Sequence, residues 1–253
     1  MSEPVSPAAA VEPEGGWRTH MHFDVESRRN KARKIIALIE RTTSMSGRRV
    51  LEIGTGTGVI SAELARAAGP SGSTVSIDTM DTRIDAEGYA FQLTSGVRLP
   101  FEDGSFDIVV SNHVVEHVGG RDEQLHHLLE IRRVLSARGV GYLATPTRWA
   151  MVEPHFTLPL LSWPPRSVRS ALVRLARKGR TYDVDPYGPR ELRAALTTAG
   201  LAWEDRTLDA VEELLRVEKP TGAARVLAVL PAWVLRLLRP ALPTMIFLVR
   251  PKV

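Results

Sequence analysis

Cysteine is absent from the 253 residues. That removes disulfides, thiolate metal sites and a cysteine nucleophile at once. Also missing is a basic start followed by an apolar core, so the amino terminus MSEPVSPAAAVEPEGG does not read as a signal peptide. Its Pro, Ala, Glu and Gly content predicts a disordered tail over residues 1–16. Acids are nearly missing from two stretches. Between Arg148 and Arg180 seven basic residues face the single acid Glu153, and from Lys219 to Val253 six basic residues face none. Each stretch therefore carries +6, so the remainder of a chain of net charge +4 carries −8. An acidic body with two basic, apolar-rich segments points to a localised anionic partner. The plainer account is that the basic residues solvate insertion surfaces.

What is present reads as one α/β unit. ESRRNKARKIIALIERTT places Ile35, Ile36, Leu38 and Ile39 at helical spacing, ahead of the core. RRVLEIGT predicts a strand, GVISAELARAAG a helix closed by Gly69, and STVSIDT a second strand ending in Asp78. YAFQLTSG and SFDIVVSN predict strands three and four. RDEQLHHLLEIRRVLSARG predicts a helix and GVGYLATPT strand five. Alternation of this kind marks parallel βαβ units. The beat breaks at residues 148–187, rich in Pro, Trp and Arg, which read as an insertion over one end of the sheet. It resumes with the helix GPRELRAALTTAG and LAWEDRTLDA as strand six. A mostly apolar helix over 222–239, within a helical insertion at 211–241, precedes TMIFLVRP as strand seven.

Gly54, Gly56 and Gly58 stand between a strand and a helix amino terminus, where glycine permits a sharp turn and close approach of a ligand to backbone N–H groups. Such a loop is shared by many nucleotide-binding folds. A nicotinamide fingerprint would want Gly or Ala where Val59 stands. Asp78, about twenty residues on, is placed to accept hydrogen bonds from ribose hydroxyls, the alternative being a turn or helix cap.

In order and at the expected spacing, VLEIGTGTG, SIDT and LPFEDGSFDIVVSNHVVEHV resemble the class I S-adenosylmethionine-dependent methyltransferases. Within them the likeness is to the type 11 group that includes the ubiquinone and menaquinone biosynthesis enzymes. The resemblance covers residues 48 to about 147 and continues more weakly to the end. It implies a Rossmann-like, doubly wound sheet of seven strands, mostly parallel with an antiparallel last strand, and helical insertions after strands five and six. S-adenosyl-L-methionine is the implied cofactor. Gly54, Thr55, Gly56 and Gly58 would form its loop, and Glu52 would hold that loop and the cationic methionine end. Asp78 and Thr79 would meet the ribose, and Asn112 closes the strand-four side. Many relatives carry an acid about four residues before LPF; Ser95 takes that place here and can still hydrogen-bond an adenine amine.

Methyl transfer from a sulfonium needs alignment and, for a hydroxyl acceptor, removal of a proton. His113, His117 and His155 are the candidate bases, because imidazole titrates near neutral pH. Glu116 and His117 also read as a helix-edge pair that positions structure, and His126 and His127 as solvated or packing residues of a helix. A mechanism of proximity alone, without a base, stays open. SNHVVEHV lacks the Asp/Asn-Pro-Pro-Tyr/Phe pattern of amino-methylating enzymes, which argues against an exocyclic amine acceptor. No metal is expected.

The 148–187 insertion would cap the active site, with Phe156 and Trp163 as an apolar wall. Within it Val168, Leu172 and Leu175 share one helical face among arginines, the pattern of an amphipathic basic helix. The carboxy-terminal apolar stretch is broken by arginines and prolines and fails as a membrane span. The expected protein comprises the tail and a methyltransferase domain over 17–253, cytoplasmic, with peripheral contact to anionic membrane. It would methylate a small-molecule or lipid-linked acceptor, at oxygen. The rivals are an RNA methyltransferase, ranked lower for want of an RNA-binding module, and a cofactor-binding protein with a degenerate site. No DNA partner is expected.

Overall fold

The computed structural model describes residues 25–153, 156–182, 184–217, 230–239 and 242–252. Seven strands form one sheet: β1 (Arg49–Ile53), β2 (Ser73–Asp78), β3 (Ala90–Leu93), β4 (Phe106–Asn112), β5 (Leu135–Pro146), β8 (Leu201–Asp205) and β9 (Thr244–Pro251). Their order is β3-β2-β1-β4-β5-β9-β8, parallel except that β9 runs against both β5 and β8. A two-residue hairpin, β6 (Val152–Glu153) with β7 (Leu158–Pro159), stands apart. The helices are α1 (Val25–Glu40), α2 (Val59–Ala68), α3 (Arg121–Val134), α4 (Arg166–Leu175), α5 (Pro189–Thr198), α6 (Thr207–Val217) and α7 (Ala232–Leu238).

Period-two alternation along the strands divides the core between the two faces of the sheet. Val109, Leu143, Phe247 and Val249 pack with Leu128, Ile131 and Val134 of α3 and with Leu192 and Leu196 of α5. Ile108, Val110, Tyr142, Ile246 and Leu248 pack the other way, with Ile35, Leu38 and Ile39 of α1 and Ile60 and Leu64 of α2. This is the doubly wound, mostly parallel sheet with an antiparallel last strand that the resemblance implies. Residues 148–187 keep a small core of their own: Phe156, Leu161, Val173, Tyr182 and Val184.

Three boundaries differ from the sequence reading. The helix expected through Gly139 stops at Val134, because Leu135 is buried opposite Phe106 and begins β5, with a register shift before Val140 meets Ile108. Long-range pairing outweighs local helix propensity there. Strand six ends at Asp205 rather than Ala210: the Asp205 carboxylate accepts the Thr207 N–H (3.1 Å), an Asx turn that starts α6. Of the helix expected over 222–239, residues 222–229 lie outside the described set. The helix found, Ala232–Leu238, starts after Pro231, which a helix interior would not accept.

The loop that carries Leu99 to Phe101 is fastened by α3. Glu130 accepts the Leu99 N–H (2.8 Å), while Arg133 donates to the carbonyls of Leu99 (3.0 Å) and Phe101 (2.7 Å). Asp107 anchors the opening of β4 by accepting the Arg49 N–H (3.1 Å). On α3, His126 is exposed, whereas His127 is buried against the sheet with Nε2 3.2 Å from Ser111 Oγ. Burial pushes the His127 imidazole down to about 4, so it stays neutral in the fold until well below its ordinary range. The unfolded chain takes up that proton first. Stability from this residue is complete above the unfolded value near 6.5 and is lost as pH falls toward 4. Urea titrations at pH 4.5 and 7 should show a smaller acid loss in His127→Leu than in the wild type; equal losses would remove His127 as the cause.

Candidate functional site

Glu52 sits in β1 at the middle of the sheet, in register with Ser76 of β2 and Val110 of β4, and is buried. Its carboxylate accepts a short hydrogen bond from Ser61 Oγ, one turn into α2. Ser61 also lies 3.0 Å from Ser76 Oγ, which is in turn bonded to Thr55 Oγ1. Burial pushes the Glu52 carboxyl up to about 8, against the opposing pull of the Ser61 bond and the positive charge of Arg28. Burial likewise holds the Arg28 guanidinium below its ordinary range, with Glu52 acting in the other direction.

The glycine loop follows Glu52 and passes beside Arg28. Gly58 has φ +80°, and a Cβ there would stand 1.9 Å from the Asp85 carbonyl oxygen, so the position admits no side chain. Gly56 has φ +52°, but the nearest atom to its missing Cβ is Arg28 Nη1 at 3.7 Å, which leaves its outer side open. Asp78, at the end of β2, spans the loop: Oδ2 accepts the Gly56 N–H (2.8 Å) and Oδ1 the Thr79 N–H (2.7 Å). Thr79 Oγ1 and the Met80 N–H also reach Oδ1, at a longer 3.4 Å, contacts that a ribose hydroxyl could replace. Residues 79–89 cross from β2 to β3 without a helix and fold back on the loop. Thr82 Oγ1 donates to the Gly56 carbonyl (3.0 Å), and the Ile84 and Asp85 N–H groups bond the Thr57 carbonyl (2.9 and 3.1 Å).

Across the sheet's carboxyl edge lie Asn112 and His113. His113 follows β4 at φ +59°, and its N–H donates to the Ala144 carbonyl (2.8 Å). His113 Nδ1 is 3.3 Å from Oε1 of buried Glu116, whose Oε2 accepts from Thr145 Oγ1 (3.0 Å). His117 lies in the 3-10 turn Val115–His117, its N–H closing on the Val114 carbonyl.

The structure thus gathers Glu52, Gly54, Thr55, Gly56, Gly58, Asp78, Thr79, Asn112 and His113 at the carboxyl ends of β1, β2 and β4, where open α/β sheets bind ligands. Ser95 is exposed just beyond β3, next to Thr94, whose N–H bonds the Asp78 carbonyl. His155 lies outside the described residues. Phe156 departs from its expected place on an acceptor wall: it is buried in the insertion's own core, its ring 5.5 Å from that of Tyr182. Two residues went unsingled in the sequence, Arg28 among many helix cations and Ser61 inside an apolar helix; no spacing marks the first, while a lone hydroxyl in an apolar helix is a usable signal for the second. Glu116 reads in the sequence only as half of a pair that positions structure.

These residues fit S-adenosylmethionine. Its zwitterionic end would set an ammonium by Glu52, favouring the ionised carboxylate there, and a carboxylate by the partly buried Arg28 guanidinium. Gly56 offers the open backbone, and Asp78 the ribose acceptor. Thr57 Oγ1, buried in the same loop, has no hydrogen-bond partner among the described residues.

The family described as a methyltransferase domain matches residues 51–143. A ubiquinone/menaquinone biosynthesis C-methyltransferase UbiE of Pseudomonas putida strain GB-1 is 31% identical over 104 residues, which are 37% of this chain and 41% of that protein. The same-named protein of another Pseudomonas putida strain is 30% identical over 160 residues, 59% of each chain. The alignments therefore span between two-fifths and three-fifths of those relatives' length. A solved S-adenosylmethionine-dependent methyltransferase from Mesorhizobium loti shares the fold at TM-score 0.53 and 16% identity, over 85% of this chain and 95% of that one.

Two predictions come from this geometry. Glu52 is mostly protonated at pH 7 without ligand, and a cation beside it favours ionisation. Cofactor binding at pH 7 should therefore release about one proton, seen as a buffer-dependent calorimetric heat that Glu52→Gln abolishes. Because the folded value is raised, the stability contributed by Glu52 without ligand is lost as pH rises from about 4.5 to 8, opposite in sign to the His127 contribution, and Glu52→Gln should lack that loss. The two glycines separate packing from binding. Gly58→Ala should cost well over ~2 kcal/mol through strain and overlap, whereas Gly56→Ala should cost ~1–2 kcal/mol yet remove cofactor binding. Unchanged affinity in Gly56→Ala would refute the open cradle.

Proposed function

We propose that this protein, which belongs to the class I S-adenosylmethionine-dependent methyltransferases, transfers a methyl group to a lipid-linked or other apolar hydroxyl-bearing acceptor, at oxygen. The supporting observation is the His113–Glu116–Thr145 chain at the carboxyl end of β4 and β5, on the glycine-loop edge of the sheet. Bound S-adenosylmethionine supplies an electrophilic methyl group on a cationic sulfur. The residues of this chain have to hold the acceptor and take its proton.

Glu116 is buried and pinned by Thr145, so its carboxylate faces the His113 ring with little freedom. A carboxylate at Nδ1 favours the tautomer that carries hydrogen there and leaves the Nε2 lone pair to accept a proton. When the acceptor hydroxyl gives its proton to Nε2, the imidazolium charge is met by Glu116. With the cofactor bound, the acceptor oxygen would gain the methyl group as its own O–H bond and the methyl–sulfur bond break, the sulfur leaving as a neutral thioether and the proton passing later to solvent. Glu116 is a positioning residue in this scheme.

Carbon methylation is the second reading, favoured by the C-methyltransferase names of the curated relatives. A phenolic acceptor uses the same proton removal for either outcome, because the phenolate is nucleophilic at oxygen and at the adjacent ring carbon. Incubation of the protein with methyl-13C S-adenosylmethionine and a bacterial lipid extract, followed by carbon NMR, separates a methoxy product from a ring methyl. His113→Asn keeps a residue tolerant of the left-handed backbone. It should lower kcat by roughly 10²–10⁴ while cofactor affinity stays unchanged. Full cofactor binding with no labelled product from any extract would favour a degenerate site.

A further inference from the structure

Helix α4 is turned outward for a helix resting on a protein core. Its inward side consists of Val173, fully buried, and Arg169, 4% exposed, with the guanidinium 4.0 Å from Asp185 and over the Tyr182 ring. Its apolar stripe lies about 110° round the helix from that side and faces solvent: Val168 is 43% exposed, Leu172 37% and Leu175 81%. At 100° per residue these three fall within about 60° of arc. Burying an arginine while three aliphatic side chains face solvent is the reverse of ordinary helix packing.

The charges beside this stripe are also clustered, four cations within seven residues. Arg133 holds Glu130, Arg193 holds Asp205 and Arg206 holds Asp209. By contrast Arg174, Arg177, Lys178 and Arg180 are exposed and have no carboxylate at ion-pair distance among the described residues. The insertion's described acids are engaged inward. Glu153 is buried and accepts the Phe156 N–H (2.6 Å), and Asp185 faces Arg121, Arg148 and Arg169. Just ahead of α4, Trp149 and Trp163 meet edge to face at 5.8 Å, both partly exposed, beside exposed Met151 and Leu160. An apolar stripe, unpaired cations and half-exposed indoles match the chemistry of an anionic bilayer surface, with aliphatic groups in the acyl boundary and cations at headgroup phosphates. Among the described residues no helix is long and apolar enough to cross a membrane, so contact of this kind lies in the interface plane.

We propose that α4 and the tryptophan-bearing turn before it form a docking surface for anionic lipid membranes. The surface is anchored to the site, because the Asp185 N–H at the insertion's far end donates to the Glu116 carbonyl (2.9 Å). A membrane-held acceptor would thus meet the insertion next to His113. The inference adds a source for the acceptor proposed above, but its test does not use methyl transfer.

The full chain is sedimented with vesicles of phosphatidylglycerol and phosphatidylcholine, or of phosphatidylcholine alone, at low and high salt. Binding is expected to the mixed vesicles only, fading as salt screens the charges. Val168→Asp/Leu175→Asp should weaken it by roughly tenfold or more through loss of apolar burial. Arg177→Gln/Lys178→Gln should weaken it by about fivefold per basic residue removed, the equivalent of ~1 kcal/mol each. Both pairs are exposed, so circular dichroism and calorimetric affinity for S-adenosylmethionine should match the wild type. That control separates a failed docking surface from a failed methyltransferase reading. No binding at low salt by folded protein overturns the proposal, as does binding indifferent to the apolar pair. Self-association abolished by Val168→Asp/Leu175→Asp would give the stripe to a second copy instead, and RNA binding with the same sensitivities but no vesicle binding would give it to RNA.

Discussion

A carboxyl group sealed into an interior strand of a sheet must be answered by its surroundings, and the answer to Glu52 organises one end of this molecule. Ser61 reaches it from α2, which sets how that helix begins. Ser76 and Thr55 continue the hydroxyl chain, tying β2 and the loop to the same point. Arg28 supplies positive charge from α1, so the helix ahead of the sheet belongs to the site electrostatically as well as by packing. These partners reduce the desolvation penalty without cancelling it, as the raised carboxyl value records. The site is built short of one positive charge, and its ligand brings one.

The other end depends on Asp185. Three arginines converge on its carboxylate, from α3, from the start of the insertion and from α4, and its backbone joins Glu116 and Gln124. Arg121 and Arg148 extend this network to Glu191 on α5. The glycine-loop residues come from β1 to β4, while the insertion is tied down through this single acid. Glu116 is where the two halves touch.

Much of the fold was legible because buried parallel strands leave unbroken runs such as FDIVVSN between glycine and aspartate turns, and the glycine loop was legible because close approach tolerates few residue types. Asp78 stood out by its distance from that loop. Arg28 did not, since in ESRRNKARK every cation looks alike until a buried carboxylate selects one. The end of α3 was hidden for a different reason: LSARG suits a helix, and only the pairing of Leu135 with Phe106, residues apart in sequence, makes it a strand. Phe156 was mistaken for a ligand wall because composition cannot tell an insertion with its own core from one that opens onto a pocket. The stripe on α4 was visible as a period, but not the direction it faces.

The insertion's two ends are joined: the Arg148 N–H donates to the Tyr187 carbonyl at 2.9 Å. A segment that departs and returns at one point is a cassette, and its removal would leave a gap that a short turn can close. Loop closure depends only weakly on the length of the segment, so the sheet tolerates a cassette of almost any size there. If the insertion receives the acceptor as proposed, exchange of this piece for another would alter which acceptor arrives and leave the glycine-loop cradle intact, so that acceptor choice and methyl chemistry could diverge separately on the same scaffold.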